Sequence, residues 1–196
     1  MNNQLQTLQW GIIGLGKIAH SFCQDLQLVD NTAIAAVASR STAKAEKFAA
    51  EYGAAKSYGS YQELFEDPNV DIVYIATPHD SHAEWSIAAM NAKKHVLCEK
   101  PLGVNQSQVK AMVEVAQQNS VFFMEALWSK FNPTIKTCIE LAKSGTAIGE
   151  VNYVNADFTF SRNDADDSRM LNMELAGGSL LDMGIYPVFL AYSIFG

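Results

Sequence analysis

Cysteine is scarce in this 196-residue chain: Cys23, Cys98 and Cys138 are all there are. They are odd in number, widely spaced and never form a CxxC pair, which argues against a disulfide framework. They read as reduced, cytosolic thiols buried as small apolar groups. Cys98 alternates with Val96 along an apolar run, so it packs within a strand rather than serving as a nucleophile. Positive charge is also low. Lysine and arginine total 14 against 21 acidic residues, for a net charge of -7. No stretch concentrates the basic side chains, which excludes nucleic acid and anionic membrane as partners. No apolar run reaches the roughly 18 residues needed to span a bilayer. The start, MNNQLQTLQW, has neither the basic segment nor the apolar core of a signal peptide. Internal repeats, low-complexity tracts and disordered linkers are missing too.

What remains is a chain that is 48% hydrophobic and 18% charged, ample for a packed core in one to two domains. Apolar runs of strand length alternate with helix-length stretches. The strand candidates are WGIIG from Trp10, TAIAAVAS from Thr32, VDIVYIATP from Val70, HVLCE from His95 and VFFMEA from Val121. Between them lie helical patterns: Lys17 to Val29, with Ile18, Phe22, Leu26 and Val29 at helical spacing; Ser41 to Tyr52; a short helix opened by the capping box Ser60–Glu63; a second capping box at Ser81–Glu84; and Asn105 to Asn119, with Val109, Met112, Val113 and Val115 near one face. Strands alternating with helices imply an α/β fold, a parallel sheet covered on both faces. After Leu127 the character changes, which divides the chain into residues 1–126 and 127–196. Pro133 to Ser144 reads as a helix, and EVNYVNADFTF from Glu150 alternates like an antiparallel strand with one covered face.

The first strand runs into Gly14-Leu15-Gly16-Lys17-Ile18-Ala19 at the start of the first helix. Glycines there permit a tight turn and let backbone N–H groups approach a dinucleotide pyrophosphate. The second strand ends in Ala38-Ser39-Arg40-Ser41, with no acidic residue for a ribose 2′-hydroxyl. Ser39 and Arg40, with Lys44 one turn on, point to NADP rather than NAD. His79 and His82 lack a third nearby ligand, so no metal site is expected. Asp164 to Asp167 lacks the glycine and distal glutamate of a calcium loop and reads as a solvated acidic turn.

Taken together, GIIGLGKIA, ATPHDSH, CEKPLG, MEALWSKFNP and GGSLLDMGIYP make the chain resemble the Gfo/Idh/MocA oxidoreductases over nearly its whole length. Within that family the match is to the branch of dimeric dihydrodiol dehydrogenases and NADP-dependent D-xylose dehydrogenases. The resemblance implies a Rossmann doubly wound parallel sheet, followed by the start of an α+β substrate domain with an open, mostly antiparallel sheet. It implies cofactor contacts from Thr77, Pro78, His79, His82, Glu99 and Lys100. It also implies that Pro101, often cis in the family, aims Lys100 at the reacting carbon, where Asp182 and Tyr186 join it. Asp182 and Tyr186 are four residues apart and would share one helix face. A tyrosine near pKa 10 is a poor base at neutral pH, but a neighbouring ammonium favours the tyrosinate. Trp128 and Phe158 would line the nicotinamide and substrate pocket, although at least one of Phe158 and Phe160 reads as core.

The function expected from this resemblance is hydride transfer between NADP and a secondary alcohol of a sugar or cyclic trans-diol. The protein would be cytoplasmic and would dimerise, when full length, through the second-domain sheet. Two other readings stand beside it: a non-catalytic dinucleotide-bound sensor, and an inactive N-terminal fragment of the enzyme. The last rests on EVNYVNADFTF being the only clear strand after Leu127, since a solitary strand leaves its edges unpaired.

Overall fold

The computed structural model describes residues 6–161 and 170–196. The acidic run Asp164 to Asp167 lies outside the described residues. The chain packs as two compact units, Met1–Glu125 and Ala126–Gly196.

In the first unit, six parallel strands form one sheet: β1 (Leu8–Ile13), β2 (Thr32–Ala38), β3 (Lys56–Tyr58), β4 (Ile72–Ile75), β5 (His95–Cys98) and β6 (Phe123–Glu125). Their order is β3-β2-β1-β4-β5-β6. This is the doubly wound arrangement in which strand order reverses beside β1, so that ligands meet the carboxyl ends of β1 and β4. The central strands are near-continuous apolar runs because helices cover both faces. Ile12, Ile13, Ala36, Val37, Val73, Ile75, Val96 and Cys98 are wholly buried. The helices are α1 (Lys17–Leu26), α2 (Thr42–Tyr52), α3 (Tyr61–Glu66), α4 (His82–Asn91) and α5 (Gln106–Asn119).

Several sequence expectations are corrected. β3 has only three residues, Lys56 to Tyr58, too short for an alternation to show. α1 stops at Leu26 and buries Ala19, Cys23 and Leu26; Ile18 and Val29 are about half exposed. On α5, Met112 and Ala116 face the core while Val113 is exposed. The Ser60–Glu63 capping box forms as expected, but the one at Ser81 does not. The Ser81 hydroxyl instead donates to Pro78 O at 2.9 Å, drawn into a 3₁₀ turn at His79–Ser81 that precedes α4. Cys138 is exposed, unlike Cys23 and Cys98.

The second unit contains α6 (Pro133–Ser144), capped by Asn132, and α7 (Ile185–Phe195), which a π-helical turn at Leu180–Gly184 precedes. EVNYVNADFTF is not a strand: residues 151–160 make no ladder with any described residue. Alternating side chains alone do not make a strand, since its backbone donors and acceptors need a paired neighbour. Phe158 and Phe160 are both exposed, so neither is core. By length and composition alone, the 23 residues Met173–Phe195 would suffice to cross a membrane. That corrects the reading that no stretch does. The segment includes Glu174 and Asp182 and joins a 3₁₀ turn, a π turn and α7 instead of forming one regular α-helix.

Candidate active site

The expected site residues fall into two groups, one in each unit. The first lies along the carboxyl edge of the sheet. Gly14 has a φ of 76°, and a Cβ there would stand 2.4 Å from Thr77 N, so only glycine lets the turn pass the end of β4. Gly16 is different: a Cβ there would meet no atom of the described residues closer than 3.9 Å. Packing does not require glycine at that position, which leaves the helix start open to close approach by a ligand. Gly16 also begins α1 without a side-chain cap, and no acidic residue occupies the first turn. The backbone N–H groups of that turn are therefore available to an anion. Leu15 is buried beneath the loop, and Lys17 and Ile18 are exposed beside it.

At the end of β2, Ser39 Oγ accepts from Ser41 N at 3.2 Å and Ser41 caps α2 through Lys44 N. Arg40 and Lys44 are exposed. Tyr61, which sequence reasoning missed, belongs to this corner. Burial raises its hydroxyl pKa, against the Arg40 charge and a hydrogen bond with the Gly14 backbone. Its ring stands edge-on to Trp85 at 5.0 Å. Only its place at the start of the Ser60-capped helix could have flagged it.

Thr77, Pro78, His79 and His82 follow β4. The Thr77 hydroxyl oxygen is buried with no hydrogen-bond partner among the described residues. A buried hydroxyl without a partner is costly, and a bound group at this edge would satisfy it. Together with the bare Gly16 and the uncapped helix start, it makes the residues present a fit for a dinucleotide. His82 is fully buried; its Nδ1 lies 2.8 Å from Pro101 O and its Nε2 2.9 Å from Thr77 O, tying the ends of β4 and β5.

Glu99 and Lys100 follow β5, and the Lys100–Pro101 peptide is cis, as the resemblance implied. The Glu99 carboxylate accepts from the Tyr74 hydroxyl and from Lys100 N. Burial raises the Glu99 pKa, while the Tyr74 hydrogen bond and Lys100 oppose the rise. Burial likewise drives the Cys98 thiol up to about 12, which suits an inert packed side chain. A larger cavity of about 560 Å³ opens at the opposite edge, lined by Gln9, Ala33, Lys56 and Asp67. There Lys56 and Asp67 already pair with each other.

The second group lies in the second unit. The Trp128 indole donates to the Tyr186 hydroxyl oxygen at 3.1 Å. Phe158 stands edge-on to the Tyr186 ring at 4.9 Å. Asp182 is buried in the π turn, a helical form common at functional sites. It lines a cavity of about 240 Å³ with Phe160, Met170 and Leu171. The structure therefore gathers Trp128, Phe158 and Tyr186, and places Asp182 just ahead of Tyr186 in a π turn rather than on one regular helix.

Residues 8–127 match the oxidoreductase family described as an NAD-binding Rossmann fold, and residues 135–196 match the GFO/IDH/MocA C-terminal domain. The chain belongs to the GFO/IDH/MocA family. It is 40% identical over 192 residues to a trans-1,2-dihydrobenzene-1,2-diol dehydrogenase of Danio rerio, covering 96% of this chain and 56% of that protein. It is 41% identical to a D-xylose 1-dehydrogenase (NADP(+)) of Hypocrea jecorina, covering 93% of this chain and 51% of the relative. Among solved structures, a 3-ketoreductase of Actinomadura kijaniata in complex with NADP and TDP-benzene superposes with a TM-score of 0.90 at 32% identity, over 97% of this chain and 58% of that one. This member of the family thus spans about half the length of the relatives it matches.

Proposed function

We propose that the chain serves an NADP-dependent oxidoreductase acting on a secondary alcohol of a sugar or cyclic trans-diol. The observation that carries this reading is the shared edge of the sheet. The uncapped start of α1, the partnerless Thr77 hydroxyl, Arg40 and Lys100 all lie there. NADP, when bound, supplies the hydride acceptor or donor. Gly14 to Ile18 would hold its pyrophosphate, Ser39, Arg40 and Lys44 its 2′-phosphate, and Thr77 to His82 its nicotinamide end. Tyr186 takes the proton of the substrate hydroxyl in oxidation and returns it in reduction. The Lys100 ammonium stabilises the negative charge that develops on that oxygen, and Asp182 orients the substrate or the lysine. Trp128 and Phe158 supply apolar walls, as carbohydrate and arene-diol rings both require. The substrate classes follow those named for the similar dehydrogenases. A homodimer through the second-domain sheet and a cytoplasmic location complete the reading.

The test is an NADP(H)-linked assay over a panel of aldoses and trans-dihydrodiols. Turnover should fall about 10²–10⁴-fold in Lys100→Met and in Tyr186→Phe with NADP binding nearly intact. A Tyr186→Phe protein with normal turnover would end the proton-transfer role. A chain that binds NADP but turns over no substrate would favour the sensor or the inactive-fragment reading over the enzyme.

A further inference from the structure

The peptide group joining Pro101 to Leu102 is held at both ends. Its carbonyl oxygen lies 2.8 Å from His82 Nδ1, and its N–H donates to Glu125 Oε1 at 2.8 Å. Glu125 is the last residue of β6, paired in register with Cys98, the last residue of β5. The β5 strand then continues through Glu99 and Lys100 into the gripped peptide, so Glu125 reaches the Lys100 segment from the neighbouring strand end. Farther along the same loop, Val104 N donates to Gln108 Oε1 at 3.0 Å. The loop that carries Lys100 is thus fixed by side chains from three different elements. Glu125 is half-buried, and burial raises its carboxyl pKa while the Leu102 N–H and the Lys100 charge oppose the rise. A partly buried acidic side chain at a strand end, spent on one loop amide, needs a reason beyond packing.

We propose that Glu125 is the positioning residue of Lys100: by accepting the Leu102 N–H it fixes the peptide that follows the Lys100–Pro101 pair, and so sets where the lysine side chain starts. The inference rests on the reading in which Lys100 acts on substrate. Glu125 touches neither substrate nor cofactor in this role. The hydrogen bond carries the effect, so a neutral acceptor of the same shape should serve.

The experiment compares Glu125→Ala with Glu125→Gln, whose side-chain amide keeps an acceptor oxygen. Hydrogen exchange at the Leu102 amide should be slow in the unaltered chain, fast in Glu125→Ala and slow again in Glu125→Gln. In the NADP-linked assay, Glu125→Ala should lose about 10–100-fold in kcat, the scale of one hydrogen bond to a charged group. NADP affinity should stay within about twofold, and Glu125→Gln should recover most of the loss. Fast Leu102 exchange in the unaltered chain would overturn the proposal, and this measurement stands even if Glu125→Ala fails to fold. Unchanged kcat in a folded Glu125→Ala would overturn it as well, as would a Glu125→Gln variant as impaired as the alanine. An unaltered chain with no turnover counts against the proposed reaction instead, and the Leu102 exchange pattern then decides the grip alone.

Discussion

The indole of Trp128 donates its N–H to the hydroxyl oxygen of Tyr186 at 3.1 Å, with the two ring centroids 6.0 Å apart. Trp128 is more than half exposed, so this is not a core aromatic that happens to lie nearby. One lone pair of the phenolic oxygen is occupied from the tryptophan side, and in the proposed reaction this constrains the direction in which the hydroxyl proton is exchanged. Replacing Trp128 with phenylalanine keeps an aromatic wall and removes the donor. Turnover is expected to fall about 3–10-fold, the scale of a single hydrogen bond of about 1 kcal/mol. Steady-state kinetics that show the whole effect in substrate KM would assign Trp128 to binding alone.

Arg40 should discriminate between cofactors. It is exposed beyond the end of β2, in a strand-end sequence, Ala38-Ser39-Arg40-Ser41, that carries no acidic residue for a ribose 2′-hydroxyl. Arg40→Ala is expected to weaken NADP much more than NAD, as read by fluorescence titration with the reduced forms. Equal losses for both cofactors would reject the assignment.

Asp67 should govern part of the acid stability. Burial alone would raise its pKa, but the Asn69 N–H, Lys56 and Tyr58 together outweigh burial and hold it at about 2. An unfolded aspartate titrates near 3.9. Because the folded value is the lower one, the ionised carboxylate contributes stability that is complete above about 3.9 and is lost as pH falls toward 2. Denaturation midpoints measured between about pH 5 and 2 should fall more steeply for the unaltered chain than for Asp67→Asn, which should start lower at neutral pH. Parallel curves would place the acid sensitivity elsewhere.

The thiols should separate cleanly. Cys23 and Cys98 are buried, and burial pushes each pKa up to about 12, with Glu51 adding to the rise at Cys23. Cys138 is exposed on α6. Titration of the native protein with an aromatic disulfide should modify one thiol quickly, and Cys138→Ser should abolish that fast phase. Two fast thiols would show that one of the strand or helix cysteines opens readily.

How much of this was written in the sequence depends on the range of the forces involved. The parallel sheet was legible because its central strands are unbroken apolar runs flanked by helical periodicities, and the glycine turn because Gly14 and Gly16 sit at the first strand end. Lys100, Asp182 and Tyr186 are proposed as site residues only through motifs, since nothing in their local periodicity marks them. Tertiary structure decided the rest. β3 became a strand because β2 offered its open edge to three residues. Residues 151–160, with a better alternation, did not, because a ladder needs a partner that no local pattern supplies. The Ser81 hydroxyl donates to the Pro78 carbonyl instead of accepting from the Glu84 N–H, a choice between two partners that spacing could not make. Glu125 looked like an ordinary residue in an apolar run. Its grip on Leu102 arises only when β5 and β6 pair in register, which brings together side chain and amide from distant parts of the chain.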